Sequence, residues 1–377
     1  MNNDSKQITL GNGIVGIWHR PNSSERETNL EELKLVLDEF QESGVNLVFL
    51  ETFYHGMVTY KTDLATYHTK LEGFEYDEYP DYLSAFVSEA EKRGISVFAW
   101  VQDFYIGFRD YIDLVNKHPE WLLINQSGGI RHMTEGQGFG GYIFLDPANS
   151  EARSFLITLY DDILAKHPGI KGLNLDYIRY PISELGEGTD TGYTQVSMHA
   201  FAQKQGITLE NENTIEALNK KIKDDGLEAA WTAHRAGYVT EFVEQVHSMV
   251  KTKHSGKLIS TAVFAEIGQT YNLKKQNIKV WLENGYVDFV TPMVYFYEAS
   301  QIFESVSKMK AICGNIECYT GLYTTYHKQT IAELADHIDA SNRAGANGFV
   351  LFDAAKTFFE ATEDYRGFLN NTFGKKD

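Results

Sequence analysis

Residues 41–50 read Gln-Glu-Ser-Gly-Val-Asn-Leu-Val-Phe-Leu, a helical stretch that ends in a glycine and passes directly into an apolar run. A glycine just after the last helical turn takes the left-handed conformation of a helix C-cap without steric cost. The run that follows is continuously apolar rather than alternating, as expected of a parallel strand that is buried on both faces. This stretch therefore predicts a helix that packs against a buried parallel sheet.

The same order of helix, glycine and apolar strand recurs along the chain. The other glycines that end a helical stretch in this way are Gly94, Gly285 and Gly345. Together with the remaining apolar runs they predict eight strands separated by helices, which is the composition of a (β/α)8 barrel. The predicted strands are 14–18, 45–50, 95–101, 172–176, 258–264, 288–294, 316–321 and 348–352.

The length of the chain suits one large barrel. A (β/α)8 barrel takes about 250 residues and grows by insertions in its loops, and no Pro/Ser-rich linker divides these 377 residues. We therefore expect a single catalytic domain over residues 1–377. Three gaps are too long for a simple return helix: 51–79 after strand two, 103–146 after strand three, and a loop and helix excursion at about 177–226 after strand four. All three follow the C-terminal end of a strand. Active sites of barrels lie at the C-terminal ends of the strands, so long loops there predict a substrate cleft.

Composition excludes several classes of partner. The chain has 34 Lys and Arg against 52 Asp and Glu, a formal charge of -18, and such a surface repels nucleic-acid phosphates and anionic lipid. No apolar stretch approaches the roughly 18 residues of a membrane span.

Residues 1–6 lack the basic and apolar regions of a signal peptide. The protein is therefore expected either to be intracellular or to be an exported chain from which the signal peptide has been removed. Cys313 and Cys318 are too few for a disulfide framework or a metal-binding series.

Carboxylates stand at or just past the ends of five predicted strands. They are Glu51, Asp103, Asp176, Glu266 and Asp353. Like charges that crowd together raise one another's pKa, which allows one carboxyl group to act as an acid while another stays ionised. Asp176 is the strongest candidate because it ends a buried apolar strand, where a charge is costly without a partner or a purpose. Two carboxylates on either side of a bond are what a glycosidase needs.

Other residue types at the same strand ends suit the binding of a sugar. Trp18 and Trp100 are predicted stacking platforms, because the apolar faces of sugar rings pack on aromatic planes. His19, Arg179 and Tyr295, with Glu51, Asp103 and Asp353, are predicted to contact substrate hydroxyls or to tune pKa values. Arg179 is also a candidate salt-bridge partner of Asp176. The histidines do not form a set of three ligands on adjacent strand ends, so we expect neither a metal nor a cofactor.

One of these stretches also matches a known pattern. Gly172-Leu-Asn-Leu-Asp176-Tyr-Ile-Arg179-Tyr-Pro181 resembles the strand-four signature of the bacterial proteins called glycoside-hydrolase-like family 10. Gly16-Ile-Trp18, Ala99-Trp100, Leu145-Asp146-Pro147 and Asp288-Phe-Val-Thr-Pro-Met-Val-Tyr295 follow the family pattern in the same order. The resemblance implies a (β/α)8 barrel and glycan hydrolysis, with several members linked to bacterial cell-envelope polysaccharides and many of them exported. Some members carry a second Asp where this chain has Tyr177, so the resemblance leaves the partner carboxylate open.

The leading hypothesis is a glycoside hydrolase that cleaves O-glycosidic bonds of an oligosaccharide or polysaccharide. Asp176 is the predicted nucleophile or base and Glu266 the predicted proton donor, an order that is similar to the strand-four Asp and strand-five Glu of α-amylase-like barrels. If Glu266 turns outward, Glu51, Asp103 or Asp353 takes its place. A non-catalytic glycan-binding barrel is the second hypothesis, and a metal-dependent hydrolase or deacetylase is the third.

Overall fold

The protein is a closed parallel barrel surrounded by helices. The computed structural model describes residues 13–22, 25–108, 112–134, 137–182, 188–209, 214–324 and 329–374. Within them β1 pairs in parallel with both β2 and β8, which closes the ring, and every other barrel strand pairs in parallel with its neighbours in sequence. The barrel strands β1 to β8 are Ile14–His19, Leu47–Tyr54, Ser96–Gln102, Gly172–Asp176, Leu258–Phe264, Phe289–Met293, Glu317–Tyr323 and Gly348–Phe352.

The helices pack their apolar sides against the outer face of the barrel, where one continuous hydrophobic core joins them to the strands. In chain order, α1 to α12 are Leu30–Glu42, Tyr82–Lys92, Asp113–Lys117, Ser150–Lys166, Gln195–Gln205, Thr214–Asp224, Glu228–Lys253, Ile267–Lys274, Ile278–Glu283, Ala299–Cys313, Ile331–Arg343 and Tyr365–Phe373. Single turns at Thr69–Leu71, Pro119–Trp121 and Ala355–Phe359 complete the helical segments of the described residues.

The prediction of a (β/α)8 barrel is confirmed. Each predicted strand corresponds to one barrel strand, and the four glycines of the recurring pattern have φ between 66° and 89°, the left-handed conformation that ends a helix. One boundary differs in a way that matters for the site. Strand two does not stop at residue 50 but continues to Tyr54, so that Glu51 lies within a strand rather than on a loop.

Long connections follow β2, β3 and β4, as predicted. The first carries the short strands Met57–Val58 and Thr66–Tyr67, and the second a small antiparallel sheet of Tyr105–Gly107, His132–Thr134 and Gln137–Phe144. The third carries α5 and α6, which pack on the start of α7 around a separate small core that includes Phe201, Leu218 and Trp231. These connections follow three neighbouring strands and add structure at the C-terminal end of this part of the barrel.

Alternate residues of each strand point into the barrel, where they form an inner core. Its members are Ile14, Trp18, Leu47, Phe49, Phe98, Trp100, Ala262, Phe289, Tyr319 and Val350. Glycines on the same faces make room for these large rings. A Cβ atom at Gly321 would stand 3.0 Å from the Trp18 ring, and one at Gly172 would stand 1.9 Å from the carbonyl oxygen of Leu258. The interior is therefore a packed core rather than a pore.

In the described part of the chain, no helix has both the length and the apolar composition needed to cross a membrane.

The close approach of β4 and β5 at Gly172 gives a test of the packing. Gly172→Ala places a methyl group against backbone, which cannot rotate away, so we expect the free energy of unfolding to fall by about 3 kcal/mol. Gly256→Ala is the matched control, because a Cβ atom there meets nothing within 4 Å. Urea unfolding of both variants measures the difference, and equal stability of the two would contradict the packing described.

Candidate active site

The two-residue period of the strands brings polar side chains together at the barrel mouth. Each of these polar residues stands two positions after a residue that points into the barrel. Because side chains alternate along a strand, both point to the same, inner side. In strand order they are Arg20 after Trp18, Glu51 after Phe49, Gln102 after Trp100 and Asp176 after Asn174. Asp353 joins them directly after β8. Three carboxylates, two within strands and one directly after β8, thus share the mouth with one guanidinium group.

Arg20 links two of these carboxylates. Its Nε lies 3.3 Å from Oε2 of Glu51 and its Nη1 lies 3.4 Å from Oδ2 of Asp353. The guanidinium group rests over the rings of Trp100 and Phe352, at 5.4 and 5.2 Å from their centroids. The side chain is 43% exposed, so Arg20 forms a solvent-facing cover that offsets the negative charge beneath it.

Asp176 is held by donors on both carboxylate oxygens. The Trp100 indole Nε1 donates to Oδ2 at 2.9 Å, and the backbone N–H of Tyr177 donates to Oδ1 at 2.7 Å. The second bond accompanies an unusual backbone, since Tyr177 has a φ of 52°. Burial raises the pKa of Asp176, while the two donors and the charges of Arg179 and Arg20 oppose the rise. These contacts fix the orientation of the carboxylate and stabilise its ionised form.

Glu51 is the second buried carboxyl group of the mouth. Gln102 donates to its Oε1 at 2.6 Å. Burial raises its pKa to about 7, Arg20 opposes the rise, and the negative charges of Asp176 and Asp353 add to it. A carboxyl group with this pKa carries its proton about half of the time near neutral pH, which is the property of a general acid.

Aromatic rings and a second arginine form the rest of the rim. The Arg179 guanidinium group lies between the rings of Tyr177 and Phe264, at 4.7 and 4.8 Å from their centroids. No ion pair of 4 Å or less joins it to Asp176 in the described residues, so it acts on that carboxylate through longer-range attraction. Tyr295 is half-buried and stacks on Tyr323, with the two ring centroids 4.7 Å apart.

The prediction that Trp18 and Trp100 are stacking platforms is wrong. Both side chains belong to the inner core and are 1% exposed, so that neither offers a ring face to a sugar. Their indole N–H groups have other roles. Trp100 donates to Asp176, and Trp18 donates to Oδ1 of Asn174 at 3.2 Å. The two tryptophans therefore hold Asp176 and Asn174 from the interior of the barrel.

His19 and Asp103 also lie away from the mouth, which corrects their predicted contacts with substrate. His19 occupies the outward face of β1, bonded to Glu27 at 3.0 Å and stacked on Phe86. Asp103 follows β3 and accepts a hydrogen bond of 2.8 Å from Tyr160 of α4. Both side chains are 0% exposed. The hydrogen bond places Asp103 at the interface between the barrel and α4. Its burial there raises the pKa of its carboxyl group well above the usual range.

Glu266 does not join the carboxylates of the mouth. It is exposed at the N-cap of α8, and within the described residues no hydrogen bond or ion pair connects it to Asp176, Glu51 or Asp353. The reason is local, because β5 ends at Phe264 and the chain turns into α8 at once. The inward period of the strand is lost before Glu266 is reached, so the structure does not support its predicted pairing with Asp176.

Two members of the site, Arg20 and Gln102, were not predicted from the sequence, although each stands two residues after a tryptophan at or near the end of an apolar strand. Extending the period of two past each predicted strand would have found both. Among the residues that the structure describes, no three His, Cys, Asp or Glu side chains are grouped as metal ligands.

The closed barrel, with buried carboxylates at the C-terminal ends of its strands, defines a (β/α)8-barrel protein of the glycosidase type. The chain belongs to the glycosyl hydrolase-like 10 family, whose sequence model matches residues 13–341. It is 22% identical over 270 residues to glycosyl hydrolase DigH of Escherichia coli, covering 69% of this chain and 56% of that protein. It is also 22% identical over 358 residues to an S-layer-related protein of Niallia circulans, covering 84% of this chain and 22% of that protein. The chain thus spans about half of the first relative and about a fifth of the second.

Solved structures share the fold. The catalytic domain of β-amylase from Paenibacillus polymyxa superposes with a TM-score of 0.64 at 12% identity, over 97% of this chain and 99% of that one. β-Galactosidase from Bacillus circulans gives a TM-score of 0.61 at 13% identity, over 91% of this chain and 50% of that one. Both neighbours are glycosidase barrels, and at these identities the likeness concerns the fold.

The raised pKa of Glu51 predicts a pH dependence of stability. In the unfolded chain its carboxyl group has the ordinary pKa of 4.5, and in the folded chain about 7. Between these values the folded protein keeps a proton that the unfolded chain has lost, so the free energy of unfolding falls as the pH rises. Relative to Glu51→Gln, we expect the wild type to lose about 3 kcal/mol between about pH 4 and about pH 8.

Urea unfolding across this pH range measures the difference between the two proteins. Glu283→Gln, at an exposed position near the end of α9, is the control and should track the wild type at every pH. A wild-type curve that runs parallel to that of Glu51→Gln throughout would refute the assignment of the buried proton to Glu51.

Proposed function

We propose that the protein is a glycoside hydrolase that cleaves O-glycosidic bonds with Asp176 and Glu51 as its two carboxyl groups. The observation that carries the proposal is the contrast between their environments. Burial raises the pKa of both groups. For Asp176, two hydrogen bonds and the charges of Arg179 and Arg20 oppose the rise, whereas for Glu51 the charges of Asp176 and Asp353 add to it and the pKa reaches about 7. Two carboxyl groups in such different surroundings suit the acid and base roles of this chemistry.

In the proposed reaction Glu51 donates its proton to the glycosidic oxygen as the bond to the anomeric carbon breaks. Asp176 attacks that carbon, or removes a proton from the water that attacks it. Gln102 orients the acid through its hydrogen bond to Oε1, and the two donors orient Asp176. Arg20 balances charge as Glu51 becomes negative, because its guanidinium group already lies beside that carboxyl. Asp353, Arg179 and Tyr295 line the rim, where they contact sugar hydroxyls.

The proposed substrate is a polysaccharide of the bacterial cell envelope. The names of the relatives support this choice, since one is a glycosyl hydrolase of Escherichia coli and another is an S-layer-related protein. The half-buried tyrosines of the rim suit a neutral sugar ring, which packs on aromatic faces. No bound metal or cofactor is needed for the proposed steps.

Asp176→Asn is the first test of the proposal. The amide keeps the shape of the side chain and removes its charge, so hydrolysis should fall by at least about 1,000-fold. The melting temperature should stay the same or rise, because a buried carboxyl group with a raised pKa destabilises the fold when it is ionised. Reducing-end release from a panel of bacterial cell-wall and plant polysaccharides measures the rate, and affinity electrophoresis on the same panel measures binding. Binding by both proteins with no hydrolysis by the wild type would instead identify a glycan-binding barrel.

Glu51→Gln and Glu266→Gln, compared side by side, identify the proton donor. The variant that lacks the acid should lose about 100-fold or more on substrates with poor leaving groups and much less on activated aryl glycosides, which need no protonation. We expect this pattern for Glu51→Gln, together with loss of the fall in rate above about pH 7 on the substrates with poor leaving groups. Glu266→Gln should retain the wild-type ratio of the two rates. If Glu266→Gln shows the selective loss and Glu51→Gln does not, Glu266 is the proton donor.

A further inference from the structure

A groove lies between the ends of β5 and β6. Its inner part is a cavity of about 240 Å³ that begins at Phe264 and Tyr295. The ring of Phe264 contacts Arg179, and the ring of Tyr295 stacks on Tyr323. The outer part of the groove is a cavity of about 430 Å³ that extends to Gln301 and Glu304 on α10. The two cavities share Ala265, Glu266, Gln269 and Phe296 in their linings, so they are adjacent and are described together as the groove.

The lining of the groove combines an aromatic face with exposed polar groups. Phe296 is half-buried and belongs to both cavities, while Glu266, Gln269 and Gln301 are exposed along the edges. Apolar sugar faces pack on aromatic rings, and amide and carboxylate side chains provide acceptors and donors for hydroxyl groups. This composition fits a saccharide better than it fits an apolar ligand or a nucleic acid.

The topology of the barrel explains why the groove opens at this place. The connections after β2, β3 and β4 are long and carry additional strands and helices. By contrast, β5 passes into α8 within two residues and β6 passes into α10 within five. Short connections therefore flank the groove, and no inserted strand or helix separates the ends of β5 and β6 there.

We propose that the groove is a set of subsites for the glycan chain beyond the cleaved bond, with Phe296 as its stacking platform. The substrate is then an extended glycan rather than a disaccharide, and affinity rises with chain length. The inference deepens the proposed function and rests on it for the position of the cleaved bond. It gives Glu266 a role in binding the chain, which agrees with its exposure and with its lack, among the described residues, of a hydrogen bond or ion pair to the buried carboxylates.

Phe296→Ala tests the groove. With size-fractionated oligosaccharides, from disaccharide to hexasaccharide, of the polysaccharide selected by the panel, the wild-type kcat/KM should rise with chain length. Phe296→Ala should reduce kcat/KM on the hexasaccharide by about 10-fold and alter that on an aryl monoglycoside by less than about 2-fold. Phe303→Ala is the matched control, because this ring is 41% exposed on α10 and lies outside both cavities.

Binding of the same oligosaccharides to Asp176→Asn, measured by calorimetry with and without Phe296→Ala, gives a readout that does not depend on turnover. Length-dependent binding that Phe296→Ala abolishes supports the groove even if the wild type hydrolyses nothing, in which case only the proposed hydrolase activity fails. Equal rates and affinities for short and long chains, or an equal loss on both with Phe296→Ala, would overturn the groove and leave the hydrolase proposal standing.

Discussion

The two-residue period of eight strands in a closed ring is the constraint on which the rest of this structure depends. Because alternate side chains point inward, a strand that contributes a residue to the interior contributes, two positions on, a residue to the mouth. Trp18 precedes Arg20 and Trp100 precedes Gln102 in this way. The packing of the core and the composition of the site are therefore two parts of one pattern, and a slip of one residue in any strand would disrupt both.

The site places three carboxylates in a space that is largely closed to water. Such crowding is costly, since taking one charge out of water costs several kcal/mol. The structure reduces this cost in different ways for the different groups. Two hydrogen bonds favour the charge of Asp176, Asp353 lies beside Arg20, and Glu51, with a pKa of about 7, carries a proton about half of the time near neutral pH. The raised pKa of Glu51 is thus a consequence of the charges of its neighbours as well as of its own burial.

The connection between core and site runs through a single side chain. Trp100 fills the interior with its ring and donates its indole N–H to Asp176, while its outer face lies under the guanidinium group of Arg20. A tryptophan that is buried at this position cannot stack on a sugar. Its indole N–H instead holds the Asp176 carboxylate from the interior of the barrel. Aromatic surface that stays partly exposed lies instead at Tyr295 and along the groove that begins there.

The sequence by itself determined the architecture and part of the site. Glycines after helices and continuous apolar runs are local signals, so they predicted all eight strands, and the burial of Asp176 followed from its place at the end of one of them. Only the tertiary structure decided which residues accompany it. Trp18 and Trp100 lie inside the barrel, His19 and Asp103 face the helices, and Glu266 leaves the inward face because β5 ends two residues earlier. Whether a side chain turns in, turns out or leaves the strand depends on the last residue that pairs with a neighbouring strand, and that pairing is a contact between parts of the chain far apart in sequence.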